Sequence, residues 1–462
     1  MRYLLYFFLL LSQVAFAQQK PNIILIVVDD LGWKDLGFMG SNYYETPVLD
    51  ELATKSIVFR QAYAGAANCA PSRACLLSGL QTPRHGIYTV GSSERGKSST
   101  RKLIPTQNKK VLPDEMLTLA EVLQENGYLT ASMGKWHLGE SPLSQGFDLN
   151  IGGNQLGHPK SYFSPYKNPN LADGPKGEYL TDRLTKEALQ FIEQQRDTSF
   201  FLYLPYFTIH TPLQGKDSLV QHYKKKGIQD GLGRDPNYGA MVSSMDANIG
   251  RILDKLKALK LSNTLLVFTS DNGALAYLSD QAPLRAGKGS YYEGGIRVPL
   301  LFHWPDRRWS ARQEASPVTN LDLYPTLLEL IDIKAPEKKS FDGRSLAGLL
   351  DEDKPLEKRA LHWHFPVYLQ AYQPGQDGSR DALFRTRPGS VIRLGDWKLH
   401  EYFEDGGLEL YNLRRDPGER KNLANRRKSK TRQLYRLLTE WRSRMNAPVP
   451  DQLNPEYDPD QP

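Results

Sequence analysis

Pro21 to Asp30 reads P-N-I-I-L-I-V-V-D-D. A continuous run of β-branched and aliphatic residues predicts a strand buried on both faces, as in a parallel sheet. It ends on two carboxylates, Asp29 and Asp30. In open α/β sheets, ligands gather beyond the carboxyl ends of strands. Two adjacent aspartates there suit a hard divalent cation, although alone they could cap a turn. A second buried run, Leu265 to Thr269, ends in Ser270-Asp271-Asn272-Gly273 and offers two more oxygen donors. Asp29, Asp30, Asp271 and Asn272 together read as a Ca²⁺ or Mg²⁺ site, and the lack of His or thiolate in that set disfavours zinc. Further strands at 57–63, 129–133, 200–204 and 298–304 alternate with amphipathic or capped helices at 46–55 (Thr46 the expected N-cap, Pro47 the first helical residue), 118–127, 181–195, 238–259 and 320–331. The fold class is therefore α/β, with a large, mostly parallel sheet between helices.

The stretch Cys69 to Gly79, C-A-P-S-R-A-C-L-L-S-G, follows the strand 57–63. Pro71 suits the first helical position, Ser72 lies near the helix start, and Arg73 adds a cation about one turn from Cys69. A helix N-terminus beside an arginine favours an anion there and would hold a tetrahedral one such as sulfate or phosphate. Beyond the strand 129–133 comes Gly134-Lys135-Trp136-His137-Leu138-Gly139. On an extended segment Lys135 and His137 point the same way, which suits an oxyanion. His210 follows the end of the strand 200–204; a single histidine is most often structural.

The Cys69 segment resembles the signature of the type I sulfatases, Cys-x-Pro-Ser-Arg closed by Leu-Thr/Ser-Gly. Residues 134–139 are similar to that family's Gly-Lys-Trp-His-Leu-Gly motif. Residues 205–212 resemble its His-x-Pro segment, and Lys288 to Arg297 its Gly-Lys-x-x-x-x-Glu-Gly-Gly-x-Arg context. The motifs occur in the family's order over most of the chain. The resemblance implies an alkaline-phosphatase-like fold and a sulfuric ester hydrolase. It implies Cys69 oxidised to Cα-formylglycine by a maturation enzyme, with Asp29, Asp30, Asp271, Asn272 and the modified Cys69 around Ca²⁺ or Mg²⁺. The formylglycine hydrate attacks sulfur and expels an alcohol; its second hydroxyl then deprotonates, releasing sulfate and re-forming the aldehyde. In this scheme His137 is the base, Arg73 and Lys135 stabilise the hydrate, and Lys288 and His210 hold sulfate and protonate the leaving oxygen. The expected substrate is a sulfated carbohydrate. The alternatives are an aryl sulfate, a phosphodiester or phosphonate ester, and a non-catalytic binder of sulfated glycans.

With 462 residues, one large or two unequal domains are expected. Residues 1–17 have the pattern of a signal peptide, with Arg2, an apolar run from Leu4 to Leu11 and Ala15-Phe16-Ala17 before the cut. That run is too short to span a bilayer, so an exported protein, periplasmic or secreted, without a membrane span is expected. The net charge of +7 suits an anionic substrate weakly. The basic cluster at 426–432 reads as a solvated helix face, so no nucleic-acid partner is expected. Cys69 and Cys75 lie on different faces of one helix and should not pair. The catalytic domain is assigned to 18–355. Alternation from Val391 to Phe403, a strand at 408–413 and a helix at 423–445 predict a small C-terminal antiparallel sheet plus helix at 356–447. His362 and His364 are candidates to line a cleft. The loops 86–113 and 146–179 are candidates for specificity, and the tail 448–462, rich in Pro and Asp, is expected to be unfolded.

Overall fold

The computed structural model describes residues 20–227, 235–307 and 309–460. The expected signal peptide lies outside the described residues. Nine strands form one sheet: β1 (Asn22–Val28), β2 (Ile57–Tyr63), β3 (Leu129–Met133), β4 (Leu149–Ile151), β5 (Phe200–Pro205), β6 (Thr264–Ser270), β7 (Arg297–His303), β8 (Arg312–Glu314) and β9 (Val318–Thr319). The order is β4-β3-β5-β1-β6-β7-β2-β8, with β9 also on β2.

β1 lies at the centre, and all seven of its residues are buried. Its pleat explains why the run must be apolar throughout. Ile24, Ile26 and Val28 enter one core, with the helices Leu180–Gln194 and Pro236–Ala258. Ile23, Leu25 and Val27 enter the other, with the helices Leu119–Glu125 and Leu323–Leu330. Each such side chain taken fully out of water contributes about 1.5–3 kcal/mol. β5 and β6 flank β1 on opposite sides, both parallel to it. The connection therefore reverses direction at the end of β1, and that is where a crevice opens.

β7 is antiparallel to both of its neighbours, β6 and β2. Its N-terminal end consequently lies at the same edge as the carboxyl ends of the parallel strands. The segment before β7, which carries Lys288, is delivered to the crevice by this reversal.

The C-terminal part forms a second, antiparallel sheet from β10 (Ala360–Phe365), β13 (Gly389–Leu394), β14 (Trp397–Tyr402) and β15 (Leu408–Asn412). Between them β11 (Leu369–Gln370) pairs with β12 (Phe384–Thr386). The helix Lys428–Met445 lays Leu434, Leu438 and Trp441 on Ile392, Leu399 and Leu410. It starts five residues later than expected from the apolar pattern, because residues 422–427 form turns against β15.

Several expectations need correction. Thr46 precedes a helix at Pro47–Ala53, but its hydroxyl bonds Asp50 and Gly37 rather than capping the helix. The described part of the tail, to residue 460, is docked rather than unfolded. Leu453 bridges Leu103, Ile104 N–H donates to Gln452 O, and the Asn454 amide donates to the Ser98 and Arg101 carbonyls. Composition misled there because backbone pairing with a loop needs no apolar side chains. His362 and His364 do not line a cleft. His362 stacks on Trp441 at 4.6 Å, and the buried His364 spends its two ring nitrogens on Ser390 Oγ and Pro448 O.

Candidate active site

Cys69 opens a ten-residue helix, Cys69–Ser78, whose every residue is buried. Pro71 sits third rather than first, still within the turn whose N–H groups need no helical acceptor. Gly79 closes the helix in the left-handed conformation. Ser72 is structural, its hydroxyl accepting from Asn320 Nδ2. Cys75 is free and buried, as its spacing implied.

The crevice brings together side chains from five strand ends and from the segment before β7. Cys69 Sγ lies 3.6 Å from Asp29 Oδ1 and 4.0 Å from Asp30 Oδ1. Lys135 Nζ is 2.7 Å from Asp29 Oδ2, and Lys288 Nζ is 2.7 Å from Asp30 Oδ2. Arg73 Nε donates to Asp271 Oδ2 at 2.9 Å, and Nη1 donates to the Lys135 carbonyl at 3.0 Å. Asn272 Nδ2 donates to Asp30 Oδ1 at 2.8 Å. His210 Nε2 lies 3.7 Å from Asp30 Oδ2. His210 Nδ1 is 2.8 Å from the Thr211 carbonyl and must be the donor there, which leaves Nε2 to face the crevice.

The segment 134–139 is not extended as expected. Gly134 has φ +134°, and a Cβ there would lie 2.0 Å from the Pro205 carbonyl oxygen. His137 itself sits at φ +63°. Lys135 and His137 still reach one site, but through two left-handed turns rather than strand alternation. The His137 ring packs over Gly157, where a Cβ would come within 2.4 Å of it. Any larger residue at 157 would displace that ring.

Burial and charge set the protonation states. Burial raises the Asp29 carboxyl well above the usual carboxylate range, and Lys135 opposes this only in part. Burial also works against charge on Asp30, yet Lys288 and His210 overcome it and hold Asp30 below that range. Burial, then Lys135 and Arg73, pushes His137 well below the usual histidine value, so its imidazole is neutral. Burial, reinforced by Lys288, brings His210 down to about 4. The Lys288 ammonium is held charged by Asp30 against its own burial.

In the site, Asn272 Oδ1 and His137 Nδ1 are buried without a partner among the described residues, and Arg73 Nη2 has only its ion pair with Asp271. Buried polar atoms are nearly always paired, and each exception needs a reason. Donor atoms of Asp29, Asp30, Cys69 and His210 lie within 4.8 Å of one another. An orphaned amide oxygen beside such crowded carboxylates fits a hard cation. Each expected aspartate ligand has a cation on it: Arg73 on Asp271, Lys135 on Asp29 and Lys288 on Asp30.

Residues 21–333 match the sulfatase family, and residues 287–444 match the region described as N-sulphoglucosamine sulphohydrolase, C-terminal. The chain belongs to the sulfatase family. A sulfatase of Formosa agariphila is 33% identical over 94% of this chain and 90% of its own. The N-acetylgalactosamine-6-sulfatase of Homo sapiens is 30% identical over 94% of this chain and 88% of its own. The structure of Ps i-CgsB in complex with k-i-k-neocarrahexaose superposes with TM-score 0.75 and 31% identity, covering 92% of this chain and 93% of that one. The phosphonate monoester hydrolase of Agrobacterium radiobacter, at TM-score 0.70 and 19% identity, shares the fold. This sulfatase thus has the alkaline-phosphatase-like architecture anticipated from its motifs.

The sequence missed the mouth of the site. His158, from the 146–179 loop, stacks on His210 at 5.9 Å. Tyr277 and Tyr372 meet edge to face at 6.2 Å, and Arg385 covers Tyr372. No local pattern marks these residues, since their roles arise from contacts between loops distant in sequence, such as Tyr277 with Tyr372.

Proposed function

We propose that this sulfatase removes sulfate from a sulfated carbohydrate. The observation that carries the reading is Cys69 at a buried helix start, facing Asp29 and Asp30 between the ammonium groups of Lys135 and Lys288. The substrate class is supported by two relatives above 25% identity, one named for N-acetylgalactosamine-6-sulfate and one solved with a neocarrahexaose.

Cys69, converted to Cα-formylglycine by a maturation enzyme, would present a hydrated aldehyde as the nucleophile where the thiol now stands. Ca²⁺, or Mg²⁺, would be held by Asp29, Asp30, Asp271 and Asn272 with the modified Cys69, cancelling charge on sulfate and favouring the deprotonated nucleophile. The chain's own groups do the rest. Each lysine ammonium has three N–H bonds and gives one to an aspartate, which leaves donors for sulfate oxygens. Arg73 fixes Asp271 and the Lys135 backbone, and so positions the donors around Cys69. His137, neutral and with an unpartnered Nδ1, is the base that takes up a proton. Lys288 and His210 lie on the other side of the crevice; the Lys288 ammonium holds the ester oxygen, and the proton returned to the leaving alcohol comes from Lys288 or from His210 after its bare Nε2 has taken one up.

We also place the working enzyme outside the cytoplasm, with residues 1–17 removed; N-terminal sequencing of the exported protein should begin at Gln18.

The test is turnover by protein made with and without a maturation enzyme, on sulfated saccharides, an aryl sulfate, a phosphodiester and a phosphonate ester. Release from a sulfated saccharide that depends on maturation is expected. Turnover confined to the phosphorus esters would overturn the reading.

A further inference from the structure

Tyr372 is an exposed aromatic that is nonetheless held still. It lies between β11 and β12 with 47% of its surface exposed. Its N–H donates to the buried carboxylate of Asp377 at 3.0 Å. The guanidinium of Arg385 lies 3.6 Å from its ring centroid, and Tyr277 meets it edge to face.

Arg385 is itself unusual. Only 5% of it is exposed, and among the described residues no carboxylate forms an ion pair with it. Its Nε donates to the Gln370 carbonyl at 3.0 Å and its Nη1 to the Lys288 carbonyl at 3.1 Å. A buried cation is disfavoured unless charge compensates it, and here the buried Asp377 carboxylate lies within electrostatic reach of Arg385 without forming an ion pair, which leaves the guanidinium able to attract a further anion. Tyr277 lies within electrostatic reach of Asp30 and Lys288, and Tyr372 within reach of Lys288. The arrangement therefore stands beside the sulfate-binding lysine. Bracing Lys288 would account for Arg385 alone; it does not account for a fixed tyrosine ring with an open face.

We propose that Tyr372, backed by Arg385, is the subsite for the sugar bearing the scissile sulfate, taking the C–H face of a pyranose on its open ring and favouring a saccharide with further anionic groups. The proposal rests on the carbohydrate reading above. An aromatic ring offers a large apolar surface at low entropic cost, because it has few rotatable bonds and these are already fixed. The Arg385 charge, poorly screened by water in its buried position, adds attraction for a polyanionic chain. Tyr372 touches the sugar and not the reacting sulfur, so its contribution should appear in binding.

The experiment is steady-state hydrolysis of the best sulfated oligosaccharide by matured wild type, Tyr372→Ala and Tyr372→Phe, with inhibition by inorganic sulfate as the probe of the sulfate pocket. Tyr372→Ala should raise KM about tenfold or more with kcat within about threefold. Its inhibition constant for sulfate should match wild type, and Tyr372→Phe should restore the KM. An unchanged KM in Tyr372→Ala overturns the subsite. So does a parallel loss of sulfate inhibition, which would assign Tyr372 to bracing Lys288. A wild type that hydrolyses an aryl sulfate but no saccharide overturns the carbohydrate reading and the subsite with it; a saccharide-active wild type with an indifferent Tyr372→Ala overturns the subsite alone.

Discussion

Two clusters of buried charge lie in this sulfatase, and they are finished differently. In the crevice, Asp29, Asp30, Lys135 and Lys288 pair with each other, but Asn272 Oδ1 and His137 Nδ1 are left without partners. At the junction with the C-terminal sheet, Lys398 Nζ lies 2.9 Å from Glu293 Oε1 and 3.1 Å from Glu419 Oε1. There Tyr63 donates to Glu293, His400 Nε2 bonds Glu419, and the Glu293 N–H donates to Glu419 Oε2. Among the described residues no buried side-chain atom of that second group lacks a partner. A closed network spends its charge on joining two sheets. An open one keeps unsatisfied groups in reserve for a ligand, at a cost in stability. The distinction says which charges are for chemistry, and it can be broken by experiment.

The largest effect should come from the open cluster. Cys69→Ala should lower kcat/KM by on the order of 10⁵-fold, as loss of a nucleophile does. Its thermal midpoint should stay near that of wild type, because the position is already lined by other buried groups. A variant that loses its fold instead would mean that Cys69 is structural.

The closed cluster should behave in the opposite way. Lys398→Met leaves Glu293 and Glu419 buried without their cation and should cost about 3–5 kcal/mol in urea unfolding. Turnover per folded molecule should remain near wild type. A full loss of kcat with unchanged stability would erase the difference between the two clusters.

Lys288→Ala is the third test. Removing a donor aimed at developing charge should lower kcat by about 10²–10³-fold. Stability should change far less than in Lys398→Met, because Asp30 keeps His210 and Asn272 beside it.

Acid should strain the closed cluster in a known direction. Burial holds His400 below the usual histidine value, so the unfolded chain takes up that proton first as pH falls. Burial alone would raise Glu293, but Lys398 and its neighbouring arginines bring it down to about 2, so the unfolded chain also protonates there first. Both groups bind more protons when unfolded. Stability is therefore complete above about pH 6.5 and declines below it, by up to about 1.4 kcal/mol per pH unit for each group in its own range. The urea midpoint should fall between pH 7 and pH 5, and His400→Gln should flatten that part of the curve. A midpoint that rises on acidification would contradict the assignment.

Much of the open cluster was legible because each contributor sits in a short motif at a strand end. The run Ile23–Val28 announces a strand buried on both sides, and Asp29 and Asp30 follow it directly. Asp271 and Asn272 repeat the pattern, and the family motifs carry Cys69, Lys135, His210 and Lys288. What the motifs hide is how they converge. Lys288 reaches the crevice because β7 is reversed, and His137 because its backbone turns left-handed. Neither is a property of local periodicity. The closed cluster was invisible for a related reason: Glu293 and Lys398 are 105 positions apart, and each alone looks like a surface charge. The docked tail and the Tyr372 platform are hidden likewise, the first by a disorder-like composition and the second by contacts between distant loops.

What occupies position 69 in working enzyme decides the mechanism. Mass spectrometry of the Cys69 peptide, taken from a preparation that is releasing sulfate, reads this directly. The prediction is an aldehyde-bearing residue at 69, in a fraction that tracks specific activity across preparations. A fully active preparation with only an unmodified thiol there would contradict it.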